Sequence, residues 1–200
     1  MAKVYEQGCS DLRVGILGEA GFGDTTVAIS GAVGIEFDIE ESMGKISADD
    51  DPAFIQIKGP ATGTGTLTLT GIAIDDYALL TSAVLGVNKV IAFGEHTASK
   101  ECGFSFKKAQ FTDNVKSTNL IMMHRVVFGV PQEGSTSIDE EGIEITECEI
   151  PFEILPAFYL EGTTKKRRTF TKLNSEKSTA LYDALKDVCF TPTDALITTE

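Results

Sequence analysis

Between residues 34 and 40 apolar and acidic side chains alternate without a break, Ile35, Phe37 and Ile39 against Glu36, Asp38 and Glu40. A period of two sends successive side chains to opposite faces, so this segment predicts a strand with one dry and one wet side. Residues 66–70 repeat the pattern, with Leu67 and Leu69 set between three threonines. Between these two segments the alternation fails. Residues 41–52 and 60–65 are rich in Gly, Pro and Asp, and with a short strand at 54–58 they predict a long loop over 41–65. Upstream, residues 11–17 predict a first strand, followed by a glycine-rich connection through Gly18, Gly21 and Gly23.

Over residues 74–85 the period lengthens. Tyr77, Leu80, Val84 and Leu85, with Ala73 and Ala78, share one helical face; Asp75 and Asp76 favour the dipole of the first turn, and Gly86 is the expected C-cap. Residues 90–93, 101–110 and 120–130 predict strands. The last is apolar on both parities and should be central, covered on both sides. Residues 142–155 predict the longest strand. Its apolar parity switches from Ile143 and Ile145 to Cys148, Ile150, Phe152 and Ile154, the mark of a bulge or bend. Residues 175–190 predict a C-terminal helix capped by Ser175, with Ala180, Leu181, Ala184, Leu185, Val188 and Cys189 inward. Strands that follow one another without intervening helices pair antiparallel. The expected fold class is mainly β, sandwich- or barrel-like and antiparallel, with a flanking mid-chain α-helix and a C-terminal helix. One domain should span residues 1–200, with an N-terminal arm at 1–10, the long loop at 41–65 and a flexible end at 191–200.

Charge narrows the function. Thirty acidic residues against 17 basic ones give a net charge of −13, which opposes the phosphate neutralisation that drives ordinary DNA binding. The strongest basic run, KKRR at 165–168, reads as a solvated loop. Cys9, Cys102, Cys148 and Cys189 are scattered without a C-x-x-C pair, so neither a zinc site nor a disulfide scaffold is expected, and a reducing cytoplasm fits. No apolar run has the length to span a bilayer and MAKVYEQGCSD lacks the apolar stretch of a secretory signal. The expectation is a protein that stays where it is made.

Catalytic patterns are missing. The glycine runs at 18–23 and 59–65 lack the lysine that completes a phosphate loop, and Asp49, Asp50 and Asp51 lack the spacing of a calcium loop. His124 lies in an apolar strand and is expected as a satisfied core or interface histidine. His96 lies in a Gly/Thr/Ser loop, and no nucleophile elbow accompanies either. The expectation is a protein that is not an enzyme and uses no metal or cofactor.

The order I-S-G-A-V-G-I-E-F-D-I-E, an A-D-D-D turn, G-T-G-T-L-T-L-T and D-D-Y-A-L-L resembles the major tail protein, or tail tube protein, of long-tailed bacteriophages with non-contractile tails. The likeness continues through E-C-G-F-S-F-K-K-A-Q, E-E-G-I-E-I-T-E-C-E-I-P-F-E-I-L-P and S-T-A-L-Y-D-A-L-K-D-V-C-F, covering residues 14–190. The resemblance implies a β-sandwich-like subunit of the virion tail, assembled in the bacterial host cytoplasm. Six copies would close into a ring whose inner sheets join into one barrel, and stacked rings would conduct DNA during ejection without binding it specifically. The implied partners are further copies of the chain, a tape measure protein, a tail terminator and tail tip proteins, with no membrane. In such a ring the polar parities Glu36, Asp38, Glu40, Glu144, Glu147 and Glu149 become candidates for the channel wall. The alternative is a capsid or head decoration protein, or another virion β-sandwich binding module.

Overall fold

A computed structural model of the chain describes residues 3–18, 21–48, 51–81, 83–92, 100–132, 147–161 and 164–190. The long strands are β1 (Val4–Gly18), β2 (Gly21–Ile29), β3 (Ala32–Ala48) and β4 (Asp51–Leu69). Helix α1 (Ile74–Thr81) and the short strands β5 (Val84–Leu85) and β6 (Ile91–Ala92) follow. Then come β7 (Cys102–Thr112), β8 (Val115–Phe128), β9 (Cys148–Ile154), β10 (Ala157–Glu161), β11 (Thr164–Arg168), β12 (Phe170–Asn174) and α2 (Thr179–Leu185). One antiparallel sheet runs β2-β1-β7-β8-β9-β4-β3, with β12 adding to β8; β10 with β11 and β5 with β6 form separate hairpins. The class is the mainly antiparallel β architecture, with two short helices, that the alternation predicts.

One face of this sheet carries the larger core. The Phe104 ring meets those of Phe106, Phe128 and Phe152 at centroid distances of 5.8, 5.5 and 5.9 Å, among Leu67, Leu69, Ile150 and Ile154. Strand β9 alternates without a fault, its buried positions being Cys148, Ile150, Phe152 and Ile154. Strand β8 is covered on both faces, as its double apolar parity predicts. Ile121 and Met123 join the larger core, while Leu120 and Met122 join a second one with Leu173, Tyr182, Cys189 and Phe190. The segment after α2 lies against β1 and β7 where two glycines, Gly15 and Gly103, are paired in register. A Cβ on Gly15 would stand 2.8 Å from Cys189 Cβ, and one on Gly103 2.5 Å from the Phe22 ring. Bare backbone at this pair makes the recess that those two side chains fill.

Several expectations give way. Residues 41–48 and 51–65 are not a loop, because β3 and β4 stay paired from Ala32↔Leu69 to Ala48↔Asp51; Asp49 and Asp50 lie outside the described residues. The turn signals survive as a bulge: Glu41 faces Ala61 and Met43 faces Lys58, so Gly59 and Pro60 together stand against the single step between Glu41 and Met43 and β4 carries one extra residue. Proline is tolerated there and at Pro52 because β9 pairs with β4 only from Gly63 to Leu69, leaving that edge of the outer ribbon free of ladder bonds. The glycine connection is β2, and residues 4–10 are not an arm but strand β1, paired with β7 from Val4↔Thr112. The mid-chain helix ends at Thr81. Val84–Leu85 turns into a hairpin in which the Gly86 amide donates to the Val90 carbonyl at 2.8 Å, so Gly86 is not a C-cap. Helix α2 starts at Thr179; Ser175 is outside it, and its Oγ accepts the Thr118 amide at 2.9 Å. Tyr182 is the buried residue of α2, whereas Ala180, Ala184 and Val188 are exposed. Residues 142–146, where the parity switch falls, and 191–200 lie outside the described residues.

Burial raises the Cys102 and Cys189 thiols to about 11, so both should resist alkylation in the native chain at mildly alkaline pH and react only on unfolding. Mass spectrometry after a timed iodoacetamide pulse, native against denatured, checks this; rapid native labelling of either would refute the packing.

Candidate functional site

Strands β3, β4 and β9 lie side by side, and residues directly opposite one another share a face. Across the three strands the rows read Gly34–Thr68–Glu149, Glu36–Thr66–Pro151 and Asp38–Thr64–Glu153. Glu40 follows opposite Thr62. This face is wet: Glu36, Asp38, Glu40, Glu149 and Glu153 are all exposed. The reverse face carries Ile35, Phe37 and Ile39, half-buried against the core, and the buried side chains of β9. Among the described residues no cation is paired with these five carboxylates. The β4 threonines stand between the acidic strands β3 and β9, so Asp38 and Glu153, the two carboxylates that share a row, are two strand spacings, roughly 10 Å, apart.

Of the six carboxylates expected on a channel wall, Glu36, Asp38, Glu40 and Glu149 come together on this face. Glu147 is exposed one step before β9 on the same parity, and Glu144 lies outside the described residues. Sequence reading missed Glu153, although it continues the parity of Glu149 beyond Pro151. Asp38, Glu40, Thr62, Thr64 and Glu153 line an open depression of about 380 Å³ at the Ile154 end of β9.

The face depends on glycine beneath it. Gly65 is opposite Phe37 on one side and Phe152 on the other, and a Cβ there would come within 2.4 Å of the Phe152 ring and 2.5 Å of the Glu36 carbonyl. The G-T-G-T alternation therefore puts hydroxyls outward and gives the inward space to Phe152.

His124 serves a different purpose. Its ring is fully buried, with Nδ1 3.2 Å from the Phe190 carbonyl and Nε2 2.7 Å from Thr171 Oγ1. A carbonyl can only accept, so Nδ1 carries the proton and Nε2 accepts from the threonine hydroxyl. This is the satisfied core histidine that its apolar strand predicts. His96 lies outside the described residues.

The basic run is strand β11, not a loop. It pairs with β10 so that Phe158 faces Arg167 and Tyr159 faces Lys166. Lys165 Nζ lies 4.2 Å and the Arg167 guanidinium 4.9 Å from the Phe158 ring centroid, on the outward side. On the other side Tyr159 is buried, and its hydroxyl accepts from Arg168 at 3.2 Å.

No protein-family model matches the chain, and no curated protein does. Among solved structures, the chain is similar to one in the anti-feeding prophage baseplate, at 7% identity over 82% of this chain and 92% of that one, with a TM-score of 0.38. It is also similar to one in the anti-feeding prophage cap, described as a tube-terminating cap, at 12% identity over 82% and 87%, with a TM-score of 0.37. TM-scores this low do not establish a shared fold.

Proposed function

We propose that this chain is a non-catalytic structural subunit of a bacteriophage tail tube, closing into rings that stack around a hollow channel. The observation that carries the reading is the β3-β4-β9 face, a continuous exposed surface of carboxylates and threonines with no compensating cation among the described residues. Such a surface repels a polyanion at every approach, as the wall of a DNA conduit must if the cargo is not to stick. It also ends at β3, a terminal strand of the sheet. The outer edge of β3 offers unpaired backbone groups to a neighbour, and ring closure is one way to remove such an edge. Six copies per ring, DNA passage during ejection, and contacts with a tape measure protein, a tail terminator and tail tip proteins complete the reading drawn from the family resemblance.

Negative-stain microscopy of the concentrated protein tests it: rings or hollow filaments are expected, and persistent monomers that bind capsids instead would favour a decoration protein. Reversal of Glu36, Asp38 and Glu40 to lysine should leave rings intact yet slow DNA release from phage carrying the variant. Phosphate attraction is the cause, so added salt should restore the rate. Unchanged release at low salt would move these side chains away from the channel.

A further inference from the structure

The β10–β11 hairpin is not absorbed by the acidic wall. It leaves the sheet directly after Ile154, at the end of β9 away from Glu147 and Glu149. Its exit is pinned: the Leu155 amide donates to the Arg125 carbonyl at 2.8 Å, Arg125 Nη1 donates to the Pro156 carbonyl at 3.4 Å, and Arg125 pairs with Glu101. Its inner side is anchored by buried Ala157 and Tyr159. Its outer side presents Phe158, 43% exposed, with Lys165 and Arg167 stacked against the ring. Neither cation has a carboxylate partner among the described residues. An isolated two-stranded ribbon with an exposed aromatic is marginal in water and gains from being covered.

We propose that this outer side, Phe158 with Lys165 and Arg167, docks on Glu147 and Glu149 at the opposite end of β9 in a second copy of the chain. The proposal rests on the tube reading and deepens it by naming the two surfaces that join successive rings: Glu147 and Glu149 stand at the end of the acidic face, where β9 begins, and the docking leaves Glu36, Asp38 and Glu40 as the wall. Charge complementarity selects the occupant. In a chain of net charge −13 the hairpin is a concentrated positive feature, while Glu147 and Glu149 are exposed and unpaired among the described residues. Stacking against Phe158 holds both cations in place before contact, so less side-chain freedom is lost when a carboxylate arrives. A polyanionic nucleic acid is the weaker candidate, because the remaining surface repels it at long range. The two surfaces lie at opposite ends of β9, so one contact leaves the other half of each pair open. Such a heterologous contact propagates along an axis and does not stop at a dimer.

Three variants test this by sedimentation velocity and microscopy: K165E/R167E, E147K/E149K, and the four-fold charge swap. Each two-site reversal should keep the wild-type circular dichroism and weaken association about tenfold or more at low salt, leaving single rings in place of stacks. The charge swap should recover stacking, and the wild-type contact should weaken as salt rises. Phe158→Ala should weaken it as well, through loss of the platform. Unchanged stacking in either reversal, a swap that does not recover, or hairpin-dependent binding of fluorescent duplex DNA in place of self-association would overturn the docking. Wild-type rings with unaffected variants defeat the docking alone. A wild-type chain that forms neither rings nor oligomers defeats the tube reading and the docking together.

Discussion

Replacing Gly65 by valine should destabilise the chain by about 3 kcal/mol, at the upper end of what overpacking a filled interior costs. The added Cβ alone would sit 2.4 Å from the Phe152 ring and 2.5 Å from the Glu36 carbonyl on β3. One obstacle is a side chain already in contact with Phe104 and Phe128, at 5.9 and 5.7 Å between centroids. The other is backbone in the paired strand, which moves only if the β3–β4 ladder opens. Urea unfolding followed by circular dichroism reads the result as a lower midpoint with an unchanged slope. Phe152→Leu should recover part of the loss in the double variant, because the two sites share one volume. Thr64→Val, one residue away on the wet face, should change stability little. Equal effects at positions 64 and 65 would show that the sheet does not present these faces as described.

Acidification should remove a second stabilising contribution of similar size. Burial holds the His124 pKa down at about 4, from an ordinary value of 6.5; the Arg168 charge adds to this and the Phe190 carbonyl opposes it. The unfolded chain therefore takes up a proton at this site before the folded chain does. Stability from His124 is fully present above pH 6.5 and is lost as pH falls from 6.5 to about 4, by on the order of 3 kcal/mol. Two carboxylates act in a lower window. Glu6 is held down by its hydrogen bond to Lys172; at Asp11 burial raises the pKa, but the contacts with Lys107 and Arg13 outweigh it. Both lose their contribution only as pH falls through and below the ordinary carboxylate range. His124→Phe should lower stability at neutral pH, since it leaves the Thr171 hydroxyl and the Phe190 carbonyl unpaired, yet flatten the slope between pH 6.5 and 4. A wild-type slope that persists in the variant would assign the titration to another group.

Period-two alternation is a local property, and where it was strong it held. The wet and dry faces of β3, the buried parity of β9 and the double coverage of β8 all follow from side chains that point to opposite sides of an extended chain. The acidic face was legible for the same reason, down to Glu36, Asp38, Glu40 and Glu149. Local turn chemistry proved the poorer guide. Gly63 and Gly65 look like turn residues, but they are strand positions where an added Cβ would meet the Asp38 carbonyl at Gly63 and the Phe152 ring at Gly65, and Gly59 with Pro60 is a bulge in one long strand. Which glycine marks a turn and which marks a close approach depends on what lies across the sheet, and no neighbouring residue in the chain reports that. The same holds for Gly15 and Gly103, whose recess is defined only by the arrival of Cys189 and Phe22, and for β2, which pairs with β1 over a glycine-rich stretch. Helix lengths were overestimated where apolar spacing continued past the point at which backbone pairing became available, as at Val84↔Ala92. The basic run was visible as four letters. Its division into Lys165 and Arg167 on a Phe158 platform and Lys166 and Arg168 on the inner side was decided by the pairing of β10 with β11, a contact between strands that sequence pattern alone does not specify.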